Sequence, residues 1–173
     1  MTIPNQEISE LYQKLVISAI GKTFSSMKLE KLLNALIVGN VLLLTSLLEE
    51  FIGSLCSCHD LPKNDLERSL HLFVLGLLAS LSGRYTIKSN LESGTGRYDI
   101  LMYPKKPNDP GIIIEFKKGK DLKLEKLADL ALKQIKTNKY ESQIREFGYM
   151  GKILCYGMAS FKKYLAIKME EVF

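Results

Sequence analysis

The chain has 173 residues, enough for one domain with an annex, and 46% of them are apolar, which excludes a disordered chain. Its formal net charge of +5 is lopsided: from Arg84 onward there are 18 Lys and Arg against 11 Asp and Glu, and before Arg84 there are 6 against 8. A basic second half suits a polyanionic partner such as nucleic acid, with ordinary solvated lysines as the alternative.

Met1 to Glu7 has neither a basic region nor an apolar stretch behind it, so no signal peptide is expected. Three cysteines, an odd number, then point to a reducing compartment and a cytoplasmic location. Cys56, Cys58, His59 and His71 do not have the spacing of a common structural zinc site.

Pro4 to Phe24 is predicted to be an amphipathic helix, with Ile8, Leu11, Tyr12, Leu15, Val16 and Ala19 at helical spacing. Gly21-Lys22-Thr23 resembles the end of a phosphate-binding loop, but Val16 stands where the first glycine belongs. Leu29–Val38 and Val41–Ser54 are predicted as two helices broken at Gly39-Asn40. The apolar run through them, Leu32 to Leu48, is interrupted by Asn34, Gly39, Asn40 and Thr45 and is too short to cross a bilayer. It reads as core-facing helix, and no membrane partner is expected. After the loop Leu61–Asp65, Asn64 or Asp65 caps a helix running to about Leu81, apolar almost all round and therefore buried against a sheet.

From Arg84 the period changes to that of strands: Arg84–Asn90, then a turn at Glu92–Gly96, then Arg97–Tyr103, a loop with three prolines, and Gly111–Lys117. Leu122–Thr137 is a helix with Leu124, Leu127, Ala131 and Ile135 on one face, and Lys139–Phe147 is a short second one. Lys152–Tyr156 and Lys162–Lys168 close the fold as strands. Short links make the first three strands an antiparallel meander, and the helical crossover returns the chain to the same sheet. The expected class is α/β (α+β): a mixed sheet of about five strands flanked by helices. Residues 1–57 form a helical annex and 58–173 the main domain.

Glu115 and Lys117 end the apolar run Gly111-Ile112-Ile113-Ile114 and, two residues apart on a strand, share a face. Buried charges need partners or an ion. With Asp99 from the neighbouring strand they make a candidate divalent-metal site for phosphodiester chemistry. The plainer alternatives are a structural Glu115–Lys117 ion pair and an Asp99 that only accepts turn hydrogen bonds. Lys105-Lys106, Lys118, Lys120 and Lys162-Lys163 are candidates for backbone phosphate contacts. Arg97 is another, or it pairs with Glu92. His71 reads as a satisfied, partly buried histidine.

Several stretches together resemble one family: Ser89-Asn90 through Glu92-Ser93-Gly94 and Gly96-Arg97-Tyr98-Asp99-Ile100, then Ile113-Ile114-Glu115-Phe116-Lys117, then Ala131-Leu132 and Gln134-Ile135 with Lys139-Tyr140. Tyr156-Gly157-Met158-Ala159 with Phe161, and the helix carrying Glu67, His71, Phe73 and Gly76-Leu77-Leu78, belong to the same pattern. The chain resembles the PD-(D/E)XK nuclease superfamily, and within it the nuclease-like domain that follows AAA-ATPase-like domains in many bacterial proteins. Ile3-Pro4-Asn5 resembles the segment after the ATPase. The resemblance implies a restriction-endonuclease-like core and a metal-dependent nuclease acting on DNA, with RNA as a second substrate. It implies Mg²⁺ or Mn²⁺ on Asp99, Glu115 and the Phe116 carbonyl, with Lys117 assisting the attacking water. Glu67 would hold a water beside the metal, and Gln134 would position substrate or the lysine. Tyr98 replaces the proline of the superfamily's name. The rival readings are a catalytically inactive module of this fold, binding nucleic acid or a protein such as an ATPase, and an interaction domain of a toxin or mobile-element protein. The N-terminal helices are the expected surface for an ATPase or a second copy.

Overall fold

The structure, a computed structural model, describes residues 25–57, 66–89, 98–121 and 123–173; the side chains at 54–57, 66–70 and 72 also fall outside the described part. The predicted helix Pro4–Phe24, the loop Leu61–Asp65 and the turn Glu92–Gly96 lie outside the described residues.

The apolar run Leu32–Leu48 is divided between two helices, as its interruptions predict. The first, α1 (Ser26–Val38), begins at Ser25, whose side chain accepts from the Lys28 N–H, and ends at Gly39 with φ 79°, a left-handed cap that suits glycine. The second is α2 (Val41–Ser57). Among the described residues no helix is long and apolar enough to cross a membrane. Helix α3 (Leu66–Leu78) continues as a tighter 3-10 turn, Ala79–Leu81, so the helix expected to reach Leu81 does so with its last turn wound differently.

Five strands follow: β1 (Tyr85–Ser89), β2 (Ile100–Pro104), β3 (Gly111–Lys118), β4 (Ile153–Phe161) and β5 (Tyr164–Val172). Helices α4 (Leu124–Thr137) and α5 (Tyr140–Glu146) connect β3 to β4. The sheet order is β1-β2-β3-β4-β5, antiparallel throughout except for the parallel β3–β4 pair that the helical crossover produces. The mixed sheet and the order helix, three strands, helix, two strands agree with the sequence reading.

Alternation decides what each face meets. Ile112, Ile114 and Phe116 of β3, with Leu154, Tyr156 and Met158 of β4, join a core cluster with α1, α2 and α3. Ile113 of β3, with Ile153, Cys155 and Ala159 of β4, packs against α4 and α5. Strand β3 is therefore covered on both faces, which explains its continuous apolar run.

Two close fits lock the helices to the sheet. The Tyr156 hydroxyl donates to the Leu36 carbonyl, which sits in the last turn of α1 where helix carbonyls lack partners. Tyr156→Phe should strand that buried oxygen and cost about 1–3 kcal/mol, read as a lower urea midpoint at unchanged slope. On the opposite face, Gly157 lies under α4: a Cβ there would stand 2.2 Å from the Ala128 carbonyl oxygen and 2.9 Å from the Leu132 nitrogen.

Several strand ends differ from expectation. Asp99 is not within β2 but in the bend just before it. Strand β4 runs to Phe161 rather than stopping at Tyr156, and β5 spans Tyr164–Val172 rather than Lys162–Lys168, which leaves Lys162 and Lys163 in the turn between them. The sequence reading ended β4 just before Gly157. Here the missing side chain makes room for a helix instead of ending the strand.

Candidate active site

Strand β3 carries Glu115 into the interior at 3% exposure, while Lys117, one turn of the pleat further on, reaches the edge. The Lys117 Nζ donates to Glu115 Oε1 at 3.1 Å and to Gln134 Oε1 at 2.5 Å. Gln134 in turn donates from its amide nitrogen to the same Glu115 oxygen. The three side chains form a closed ring of hydrogen bonds between strand and helix. Gln134 reaches it because Gly157, directly beside Glu115 in β4, lets α4 settle onto the sheet.

Asp99 enters from the other side. The last β2–β3 pair is Ile100 with Ile114, and one further step of that register sets Asp99 opposite Glu115. Its carboxylate continues the ladder by accepting the Phe116 N–H at 2.7 Å. A strand residue directs its N–H and C=O to the same side, so the Phe116 carbonyl lies on the Asp99 side. Asp99 is thus not confined to turn hydrogen bonds.

The electrostatics follow from burial. Glu115 Oε1 has two donors, whereas Glu115 Oε2 is buried with no hydrogen-bond partner among the described residues. Burial pushes the Glu115 carboxyl up to about 7; the Asp99 charge adds to the rise and Lys117 opposes it. Asp99 is also raised, by burial first, against the pull of the Phe116 N–H and Lys117. The plainer reading of Glu115 and Lys117 as an ion pair describes a real contact, yet that pair leaves one carboxylate oxygen stranded. A stranded buried carboxylate oxygen costs free energy unless something binds it.

A hard divalent cation fits this donor set. Two carboxylates and a carbonyl are all oxygen donors, and such ions commonly bind through one or two carboxylates with water and substrate phosphate completing the shell. Among the described residues no third His, Cys, Asp or Glu joins the cluster.

Two supporting side chains were not assigned roles from sequence. The Tyr140 hydroxyl accepts from Asn138 at 2.8 Å and from the Gln134 amide at 3.4 Å, with Tyr98 edge-on to its ring. Its signal was its place six residues after Gln134. His71 is buried, shares a 2.8 Å hydrogen bond with Ser89, and stacks on the Phe116 ring at 5.4 Å, bracing the strand from its other face. Burial holds its pKa down to about 4, so it is neutral near pH 7.

The other candidates are scattered. Glu67 falls in the first turn of α3, and its side chain lies outside the described part, as does the whole of Arg97. Lys118 and Lys120 sit at the end of β3 beside Lys117, both exposed. Lys105 and Lys106 follow β2 at the opposite end of the sheet from Asp99, about 20 Å away at 3.3 Å per residue. There Lys105 donates to the Ser82 carbonyl.

Residues 65–170 match the model of the PD-(D/E)XK nuclease superfamily. The comparison with curated proteins gives no match.

Proposed function

Because the chain belongs to the PD-(D/E)XK nuclease superfamily, we propose that it is a metal-dependent nuclease that hydrolyses phosphodiester bonds of DNA, with RNA as the alternative substrate. The unpartnered Glu115 Oε2, held beside Asp99 and the Lys117–Gln134 pair, is the observation that carries this reading. Asp99, Glu115 and the Phe116 carbonyl would hold Mg²⁺ or Mn²⁺. When bound, the ion would supply Lewis-acid polarisation of the phosphate and acidify a water at neutral pH.

The chain's own groups do the rest. Glu115 would have to be ionised to act as a ligand, and Lys117 and Gln134, which donate to its Oε1, favour that form. The Lys117 ammonium positions the attacking water and offsets the negative charge that builds on phosphorus. Gln134 fixes that ammonium, and Tyr140 fixes Gln134. The water oxygen forms the new bond to phosphorus, the bond to the leaving sugar oxygen breaks, and that oxygen takes up one proton as the water loses one. Glu67 is assigned a water beside the ion, and Arg97, Lys118, Lys120, Lys105 and Lys106 contacts to nucleic acid, on the family pattern and charge alone. The family match begins after α2, which supports reading 1–57 as an annex, whose described helices α1 and α2 pack on a nuclease-like domain, 58–173. Val38 at the end of α1 and Leu42 in the first turn of α2 are exposed apolar residues that suit an ATPase partner or a second copy, and a cytoplasmic location accords with this assignment.

Purified protein with Mg²⁺ or Mn²⁺ should nick plasmid DNA, and chelator should stop it. Asp99→Ala, Glu115→Ala and Lys117→Ala should each lower the rate by at least about 10²-fold. Cleavage that survives all three changes, or ignores chelator, overturns the assignment. Glu115-dependent Mn²⁺ binding without cleavage of DNA or RNA would identify an inactive binding module.

A further inference from the structure

The β4–β5 hairpin carries its turn on Lys162 and Lys163, between the paired residues Phe161 and Tyr164. Three observations single it out. First, β3 pairs with β4 through Lys118 and Ser160, and the Gly119 N–H donates to the Ser160 carbonyl at 2.8 Å. The hairpin tip is thereby fixed one strand spacing, about 4.8 Å, from the end of β3 that carries Lys117.

Second, the two lysines lack acidic partners. Further along the hairpin, away from its tip, Lys136 pairs with Glu170, Lys152 with Glu171 and Lys168 with Asp129. Among the described residues no carboxylate meets Lys162 or Lys163. Their contacts are with rings: the Lys162 Nζ lies 5.2 Å from the Phe161 centroid and the Lys163 Nζ 5.6 Å from that of Tyr164. Both ammonium groups are exposed and steered by an aromatic neighbour.

Third, Lys162 has φ 55°, which it shares among the described non-glycine residues with Lys139 alone (φ 49°), in the left-handed region that turns ordinarily fill with Gly, Asn or Asp. A lysine is a poor choice for turn geometry there. Residues held in such conformations cluster at functional sites, and the charge offers the reason.

We propose that the tip Phe161-Lys162-Lys163-Tyr164 is a nucleic-acid backbone contact, holding the strand that leaves the candidate active site on the β5 side. The proposal rests on the nuclease reading above and names two residues as its phosphate clamp. Phosphate contacts position a nucleic acid without reading its bases, so the tip contributes affinity and placement and no sequence preference.

Binding, not cleavage, separates this proposal from the catalytic one. Anisotropy of a labelled DNA duplex, titrated with Glu115→Gln protein over a range of salt, gives affinity and its salt slope. Adding Lys162→Gln and Lys163→Gln together should weaken binding at least about tenfold at 0.15 M salt and flatten the log–log slope by about 1.8, near 0.9 for each lost phosphate contact. The Arg pair at the same positions should bind as the parent does. Lys162→Gly supplies the second measurement. It relieves the left-handed backbone, so the melting temperature should hold or rise while affinity falls. Unchanged affinity and slope in the Gln pair, or a Lys162→Gly protein that loses stability and keeps affinity, would overturn the proposal while leaving metal-dependent cleavage standing. A parent protein that binds no nucleic acid at any salt would bring down the nuclease reading and this contact with it.

Discussion

Glu115→Gln is expected to abolish DNA cleavage and, with chelator present, to raise the melting temperature at pH 8. The loss of activity follows from removing one of two carboxylate ligands. The gain in stability follows from burial, which pushes the Glu115 carboxyl from an ordinary 4.5 up to about 7. A raised folded-state value means that the folded chain holds this proton more tightly than the unfolded chain. The stability from the neutral form is therefore whole below about pH 4.5 and is lost as pH rises through 7. For a group this buried the loss is on the order of 3 kcal/mol. Metal-free wild-type protein should melt several degrees lower at pH 8 than at pH 5.5. Glu115→Gln, neutral at every pH, should lose most of that difference; Asp99, also raised by burial, retains the remainder. Calorimetric scans at the two pH values measure both quantities. Equal pH dependence in wild type and variant would show that the Glu115 carboxyl is not stranded in the interior.

The second large effect belongs to Gly157. Its missing side chain leaves the space occupied by the Ala128 carbonyl oxygen, 2.2 Å from where a Cβ would stand, and by the Leu132 nitrogen at 2.9 Å. Both obstacles are backbone, so no rotamer change relieves them. Gly157→Ala must push α4 off the sheet, and a cost of about 3 kcal/mol or more is expected, at the top of the range for overpacking. Because Gln134 rides on the same helix, cleavage should fall along with stability. Gly83→Ala is the control: nothing lies within 4 Å of its Cβ position, and the change should stay within about 0.5 kcal/mol. Urea unfolding of the two variants decides the matter, and a Gly157→Ala midpoint equal to that of wild type would refute the close packing of α4.

Much of this arrangement was legible before the fold was known. The two-residue spacing of Glu115 and Lys117 put both on one face of a strand, and they do meet there. The unbroken run Gly111–Ile114 marked a buried strand, and that strand is there. Gly39 marked the end of a helix through its need for positive φ. Each inference works because the relation is local: a period of two, a run of apolar side chains, a single permissive residue.

Other features depend on residues far apart in the chain. Gln134 was tied to substrate or the lysine through the family resemblance alone; that it bridges Lys117 and Glu115 depends on how closely α4 approaches β4. Lys105-Lys106 and Lys162-Lys163 look alike as pairs of lysines. The sheet puts the first at the end away from Glu115 and the second next to the end that carries Lys117. The amino-acid pattern alone determined which strands and helices form and which charged residues a hydrophobic strand must carry inward, since local sterics and burial act on neighbours along the chain. Only the tertiary structure decided which oxygen of Glu115 is left unpartnered and which lysine pair lies near Lys117, since those depend on strand order and helix approach that bring together positions nearly twenty residues apart or more.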